Sequence, residues 1–300
     1  MVRSRDEWLA HPHGQVLAGK PVVELIKIGE ADPRPLPRSE GPQCGILSGI
    51  RVLDLTRILA GPMAARTLAE HGADVLNIVA PGSPSIPEHV IDTNHGKRSC
   101  FLDLAAKDGA EDLRRLLTDA DVLTNSYRPG TLAKFGLTPK AVAALRPGII
   151  YVSISCYGDG GPFSQRGGWE QLGQVVTGIS HANDPTRPHL LPVPACDYTT
   201  GYLATYGALL ALARRAREGG SWHVRVSLCR SGMFIQQQEQ LAADAAPEAL
   251  PTPELDALRI ESRTPEGPLR HLGQVLRLSE TSGHWDRPTP KPGSAPPQWL

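Results

Sequence analysis

Between Gly49 and Cys156 short apolar runs alternate with segments of helical spacing, and this alternation limits the fold more than any single residue does. Residues 50–55 read as a buried strand. Pro62 stands where a first helical turn accepts proline, and Gly72 closes that helix before a second strand at 73–79. The pattern repeats with a strand at 99–104, a helix at 108–119 and a short strand at 121–124. Thr138-Pro139 forms an N-cap and N1 pair for a helix ending before Pro147, and 149–156 is the strongest strand of all. Residues 169–179 and 200–217 read as helices, the second terminated by Gly219-Gly220. Residues 221–228 alternate apolar and polar, as a half-buried strand does. Strands separated by helices of this length predict βαβ units, right-handed crossovers and a doubly wound, mostly parallel, Rossmann-like α/β sheet.

The flanks differ in texture. Residues 1–48 carry six prolines around one apolar run at 21–28 and read as an N-terminal extension that drapes over the large domain, 49–235. Residues 236–300 read as a proline-rich tail holding ten of the chain's 28 prolines, with one possible return strand near 269–278. No internal repeat is present.

Charge and cysteine usage narrow the function. Lysine plus arginine equal aspartate plus glutamate at 31 each, so no net field attracts nucleic acid or an anionic membrane. Residues 1–10 alternate in charge without an apolar leader, and no later run reaches the roughly 18 apolar residues of a membrane span. A cytoplasmic location is expected. Cys44, Cys100, Cys156, Cys196 and Cys229 are odd in number and lack a C-x-x-C pair, against a disulfide framework or structural zinc. They read as small buried hydrophobes, with reactivity left open for Cys196.

The turn after the first strand lacks G-x-G-x-x-G, which weakens a nicotinamide or flavin reading, and G-x-x-x-x-G-K-[ST], H-E-x-x-H and G-x-S-x-G are missing as well. His11-Pro12-His13 reads as solvated histidines without a third ligand, so no metal site is expected. Gly158-Asp159-Gly160-Gly161 reads as a turn. Asp54 and Asp103 lie at strand ends, where a ligand contact and a turn cap are equally open readings. Two basic turns, one with Lys97 and Arg98 and one with Arg128 followed by Lys134, read as lying on the same side of the sheet, suited to phosphate oxygens. Asp197 precedes a helical run whose positive end would keep it ionised, and an N-cap reading competes with a functional one. Glu170 opens the preceding helix.

The stretches 49–55, 60–62, 97–99, 125–130 and 151–162, together with Asp197, resemble the family III CoA-transferases in unbroken order over residues 49–234. The resemblance implies an enzyme that moves CoA between an acyl-CoA and a carboxylic acid. It implies Asp197 as the nucleophile, forming a mixed anhydride and then an aspartyl-CoA thioester, with Glu170 in support. It places Ile58 and Ala60 in the first turn of the CoA site, Lys97 and Arg98 near the nucleotide, Leu102 against the adenine, Asn125 beside the pantetheine, and Lys134 near phosphate, and Arg128 of the basic turn joins them as a candidate CoA contact. CoA enters as substrate, and no permanently bound cofactor is expected. Trp169 fills the position where racemases of the family carry a histidine base, which disfavours racemisation.

Two departures accompany the resemblance. Val79-Ala80 replace an acid and a basic residue at the nucleotide end, and only about 65 residues follow where the family places a smaller domain. A homodimer, or a complex with a subunit bringing that domain, is therefore expected. A non-catalytic acyl-CoA-binding homologue or half-subunit is the alternative, and a racemase or isomerase the further one.

Overall fold

Valine-, isoleucine- and leucine-rich runs without helical spacing become the strands of one seven-stranded sheet. The computed structural model describes residues 1–37, 45–238, 250–276 and 278–300, so Cys44 lies outside the described residues. The chain opens with helices α1 (Arg5–Ala10) and α2 (Pro12–Ala18) and strand β1 (Glu24–Gly29). It continues through β2 (Arg51–Leu55), α3 (Ala60–Glu70), β3 (Asp74–Val79), α4 (Pro87–Thr93), β4 (Arg98–Phe101), α5 (Lys107–Leu117) and β5 (Val122–Asn125). Next come a 3-10 turn (Leu132–Phe135), α6 (Pro139–Leu145), β6 (Ile150–Ser155), α7 (Glu170–Thr177), α8 (Ile179–Asn183), α9 (Ala195–Glu218), β7 (Ser221–Ser227) and α10 (Leu228–Ile235). Helix α11 (Thr252–Ala257) and strands β8 (Arg259–Thr264) and β9 (Gly267–Leu272) follow.

The strand order is β1-β7-β6-β5-β2-β3-β4, with β2 to β7 parallel. Connections run outward in one direction from β2 and in the other from β5, so the reversal falls between those two strands. Open sheets of this kind bind ligands outside the carboxyl ends of the strands at such a reversal. Successive residues of a strand face opposite ways, and the core is accordingly split in two. Val52, Val152 and Val224 pack with Ala64, Leu68, Ala208 and Leu212 of α3 and α9. Leu53, Leu76, Leu123 and Tyr151 pack on the other face with Leu113, Leu116 and Leu117 of α5.

Two glycines let α9 lie this close. A Cβ at Gly207 would come within 2.4 Å of Val224, and one at Gly201 within 2.8 Å of the Ala60 carbonyl oxygen. No helix among the described residues is long and apolar enough to cross a membrane.

Several expectations are corrected. The apolar run at 21–28 is not loose covering. Residues 24–29 form an antiparallel edge strand on β7, a place that needs hydrogen bonds on one side and leaves Pro21 and Pro33 outside it. His13 is not solvated. It is fully buried, accepts the Phe163 amide at Nδ1 and donates from Nε2 to the Tyr157 carbonyl, and burial lowers its pKa, so it clamps the glycine-rich turn after β6 as a neutral ring. The strand expected near 269–278 does not return to the main sheet; β9 pairs with β8 in a separate hairpin. The two basic turns do not share a side either. The one before β4 lies at the amino edge and the one after β5 at the carboxyl edge.

One ion pair ties the sheet to α3. The Lys97 Nζ donates to Asp54 Oδ2 at 2.8 Å and to the Pro62 carbonyl at 2.9 Å, with both side chains removed from solvent. Asp54 also accepts from the Thr56 amide and hydroxyl, Thr124 and Asn77, which satisfies the carboxylate. Removing one member of a buried pair strands the other charge. Lys97→Met is expected to lower unfolding free energy by about 3–5 kcal/mol in urea denaturation.

Candidate active site

Helix α9 begins at Ala195, five residues earlier than the sequence reading, because its first amides find an acceptor on another helix. Glu170, at the start of α7, takes the Cys196 amide on Oε1 at 3.1 Å and the Asp197 amide on Oε2 at 2.6 Å. Those are two of the four amides that a helix start leaves unpaired. Glu170 is held in turn by the Gln174 amide nitrogen at 2.6 Å. Gln174 also bonds the Val193 carbonyl and the Leu191 amide, fixing the loop that leads into α9. Asp197 is therefore in the first helical turn, not at the N-cap.

Asp197 is 6% exposed as a residue, and its carboxylate receives no hydrogen bond among the described residues. Its pKa is raised to about 7, first by burial and then by the charge of Glu170. The expectation that the helix end keeps it ionised is thus overturned, since loss of water outweighs the partial charge of the helix.

Asp197 borders two cavities. One, of about 370 Å³, lies at the reversal point and is lined by Arg57, Ala60, Gly61, Ser126 and Arg128. The other, of about 540 Å³, lies toward α4 and the 190–194 loop. Ile58, Leu59 and Trp169 line both. Ile58 has φ +75°, a left-handed conformation that a β-branched residue enters only under strain, and it is 45% exposed beside the acid. The turn around it is fixed by the Arg57 amide donating to Ser126 Oγ at 3.0 Å, which joins the ends of β2 and β5.

Of the residues singled out in the sequence, Asp197, Glu170, Ile58, Ala60 and Arg128 converge here. Asn125 lines an adjoining cavity of about 300 Å³ that shares Arg128, and Lys134 is exposed on the 3-10 turn. Three do not converge. Lys97 is committed to Asp54, Leu102 is buried in the core against α5, and Arg98 pairs with Asp74 at 2.9 Å at the opposite edge of the sheet. Arg98 opens β4 and turns toward the amino edge, whereas Lys97 reaches the first turn of α3 but is buried and spent on Asp54 and the Pro62 carbonyl. Cys196 is fully buried and its thiol is pushed far up, chiefly by burial, so it is inert. Gln174 was missed, although it stands four residues after Glu170, the spacing at which helical side chains meet.

Residues 47–259 match the family model described as CoA-transferase family III. The chain is 36% identical over 244 residues to the acetyl-coenzyme A transferase nodX of Hypoxylon pulicicidum, covering 76% of this chain and 41% of that protein. It is 30% identical to the probable fatty acyl-CoA transferase Rv3272 of Mycobacterium tuberculosis, covering 69% and 58% respectively. The crystal structure of Rv3272 superposes with a TM-score of 0.61 at 29% identity, over 65% of this chain and 58% of that one. A CAIB/BAIF family protein from Brucella suis superposes with a TM-score of 0.58 at 30% identity, over 75% and 65%. The chain spans about half the length of the curated relatives it matches.

The raised pKa of Asp197 has a cost in stability. The native state holds this proton up to about pH 7, whereas an unfolded aspartate releases it near 3.8. The contribution is therefore fully present below the unfolded pKa and is lost as pH rises toward 7. Asp197→Asn is expected to exceed the parent in unfolding free energy by a few kcal/mol at pH 8, with the gap closing between pH 7 and 4 in denaturant titrations.

Proposed function

The chain belongs to CoA-transferase family III, and on that premise we propose that it moves CoA between an acyl-CoA and a carboxylic acid with Asp197 as the nucleophile. The observation that carries this reading is a largely buried aspartate that receives no hydrogen bond among the described residues and opens to a cavity on either side. A carboxylate with few donors is a stronger nucleophile than a fully solvated one, and partial burial limits the access of water to an anhydride formed on it.

The sequence of steps balances without a net proton. An Asp197 oxygen attacks the thioester carbonyl, the C–S bond breaks, and CoA leaves as thiolate from an aspartyl-acyl anhydride. The thiolate then attacks the aspartyl carbonyl, expelling the first carboxylate and leaving an aspartyl-CoA thioester. The acceptor carboxylate attacks that carbonyl, and the released thiolate takes the acceptor's acyl carbon, which regenerates Asp197.

Each attack builds an oxyanion beside the start of α3. The amides of Ala60 and Gly61, at its first two positions, have no partner within the helix and line the same cavity. Arg128, shared with the neighbouring cavity that holds Asn125, supports this reading as a cation that could pair with a phosphate of CoA. Assembly as a homodimer, or with a subunit carrying a further domain, forms part of this proposal.

Incubation of the protein with acyl-CoA and a carboxylate acceptor is expected to give a CoA adduct on Asp197 in intact-mass spectra, lost in Asp197→Ala. A panel of donors and acceptors with neither turnover nor adduct would overturn the reading. Because the nucleophile must be ionised, kcat/KM is expected to rise with pH through an apparent pKa near 7. Glu170→Gln removes the charge that helps hold this value up, so its profile is expected to shift to lower pH.

A further inference from the structure

The two cavities beside Asp197 differ in chemistry. Arg57 and Arg128 line the smaller one at the reversal point, whereas no lysine or arginine lines the larger one among the described residues. Its walls are Ile58, Ile86, Trp169, Leu190, Leu191 and Val193, of which Ile58, Ile86, Trp169, Leu190 and Val193 expose large apolar surface. Exposed apolar side chains gathered around a concavity are suited to an apolar ligand.

Its polar groups are largely engaged. Both Glu170 oxygens accept from the α9 amides, and Gln174 uses its nitrogen on Glu170 and Val193 and its oxygen on Leu191. Only His89 and Gln171 remain, and the charges that face the space are the carboxylates Glu170 and Asp197. A ligand carrying a second carboxylate would meet like charge with no lysine or arginine to offset it.

Resting on the CoA-transfer reading, we infer that this larger cavity receives the acyl group, and that the chain selects uncharged aliphatic acyl chains over dicarboxylic ones. The thioester carbonyl then sits at Asp197, with the CoA arm in the arginine-lined cavity and the hydrocarbon in the apolar one. Each methylene that leaves water is worth roughly fourfold in affinity, so chain length is the readout.

The test uses CoA thioethers, which have no carbonyl for Asp197 to attack: S-methyl-CoA, S-octyl-CoA and S-(3-carboxypropyl)-CoA, titrated calorimetrically into the intact protein. S-octyl-CoA is expected to bind at least about tenfold tighter than S-methyl-CoA, and the carboxypropyl compound no tighter than S-methyl-CoA. Val193→Arg places a cation on the wall at a side chain that is 55% exposed, while the carbonyl that accepts from Gln174 stays in place. This variant is expected to lose most of the octyl advantage and to gain affinity for the carboxypropyl compound, with circular dichroism confirming an intact fold. Equal affinity for S-octyl- and S-methyl-CoA, or tighter binding of the carboxypropyl compound by the parent protein, would overturn the acyl selectivity alone. Failure of every thioether to bind would overturn the CoA reading together with it.

Discussion

Two carboxylates lie side by side at the start of α9, and the fate of one decides the state of the other. Glu170 gives both oxygens to the amides of Cys196 and Asp197, which fixes its carboxylate at the helix start. Asp197 lies beside the same contact yet receives no hydrogen bond among the described residues, and burial plus its neighbour's charge raise its pKa to about 7. The helix start and, through Gln174, the 190–194 loop both hang on this cap. One acid of the pair is tied into the backbone by its hydrogen bonds, and the other is left facing the cavities.

Most of the sheet was legible in the chain because βαβ units carry strong periodic signals and short connections. The strands from 50 to 155 and the half-buried strand after Gly220 fall within a few residues of their expected places. Edge strand β1 was illegible for a physical reason. Its pairing with β7 joins residues about two hundred positions apart, and its sequence lies among prolines that suggest irregular chain. His13 was misread in the same way, since its partners Tyr157 and Phe163 arrive through tertiary packing that no local pattern announces.

At the site, residue type was the better guide and location the worse. Asp197, Glu170, Ile58 and Ala60 gather as the ordered motifs suggested. Lys97 and Arg98 have the right chemistry for phosphate, but Asp54 and Asp74 pair with them. The strained turn at Ile58 gave no sign in sequence either, because isoleucine is among the residues least suited to a positive φ. Such a conformation persists only where its surroundings enforce it, here the bond between Arg57 and Ser126 that laces two strand ends together.

The pairing of β1 with β7 has a consequence for how the chain is made. Glu24 meets Arg225, 201 residues later, through a 2.8 Å ion pair and a backbone ladder. At roughly 5–20 residues per second of synthesis, the first strand waits on the order of ten to forty seconds before its partner leaves the ribosome. During that interval its backbone groups are open to any other strand edge, and Lys27 within it, together with Pro21 before it, supplies the charge and the break that discourage such pairing.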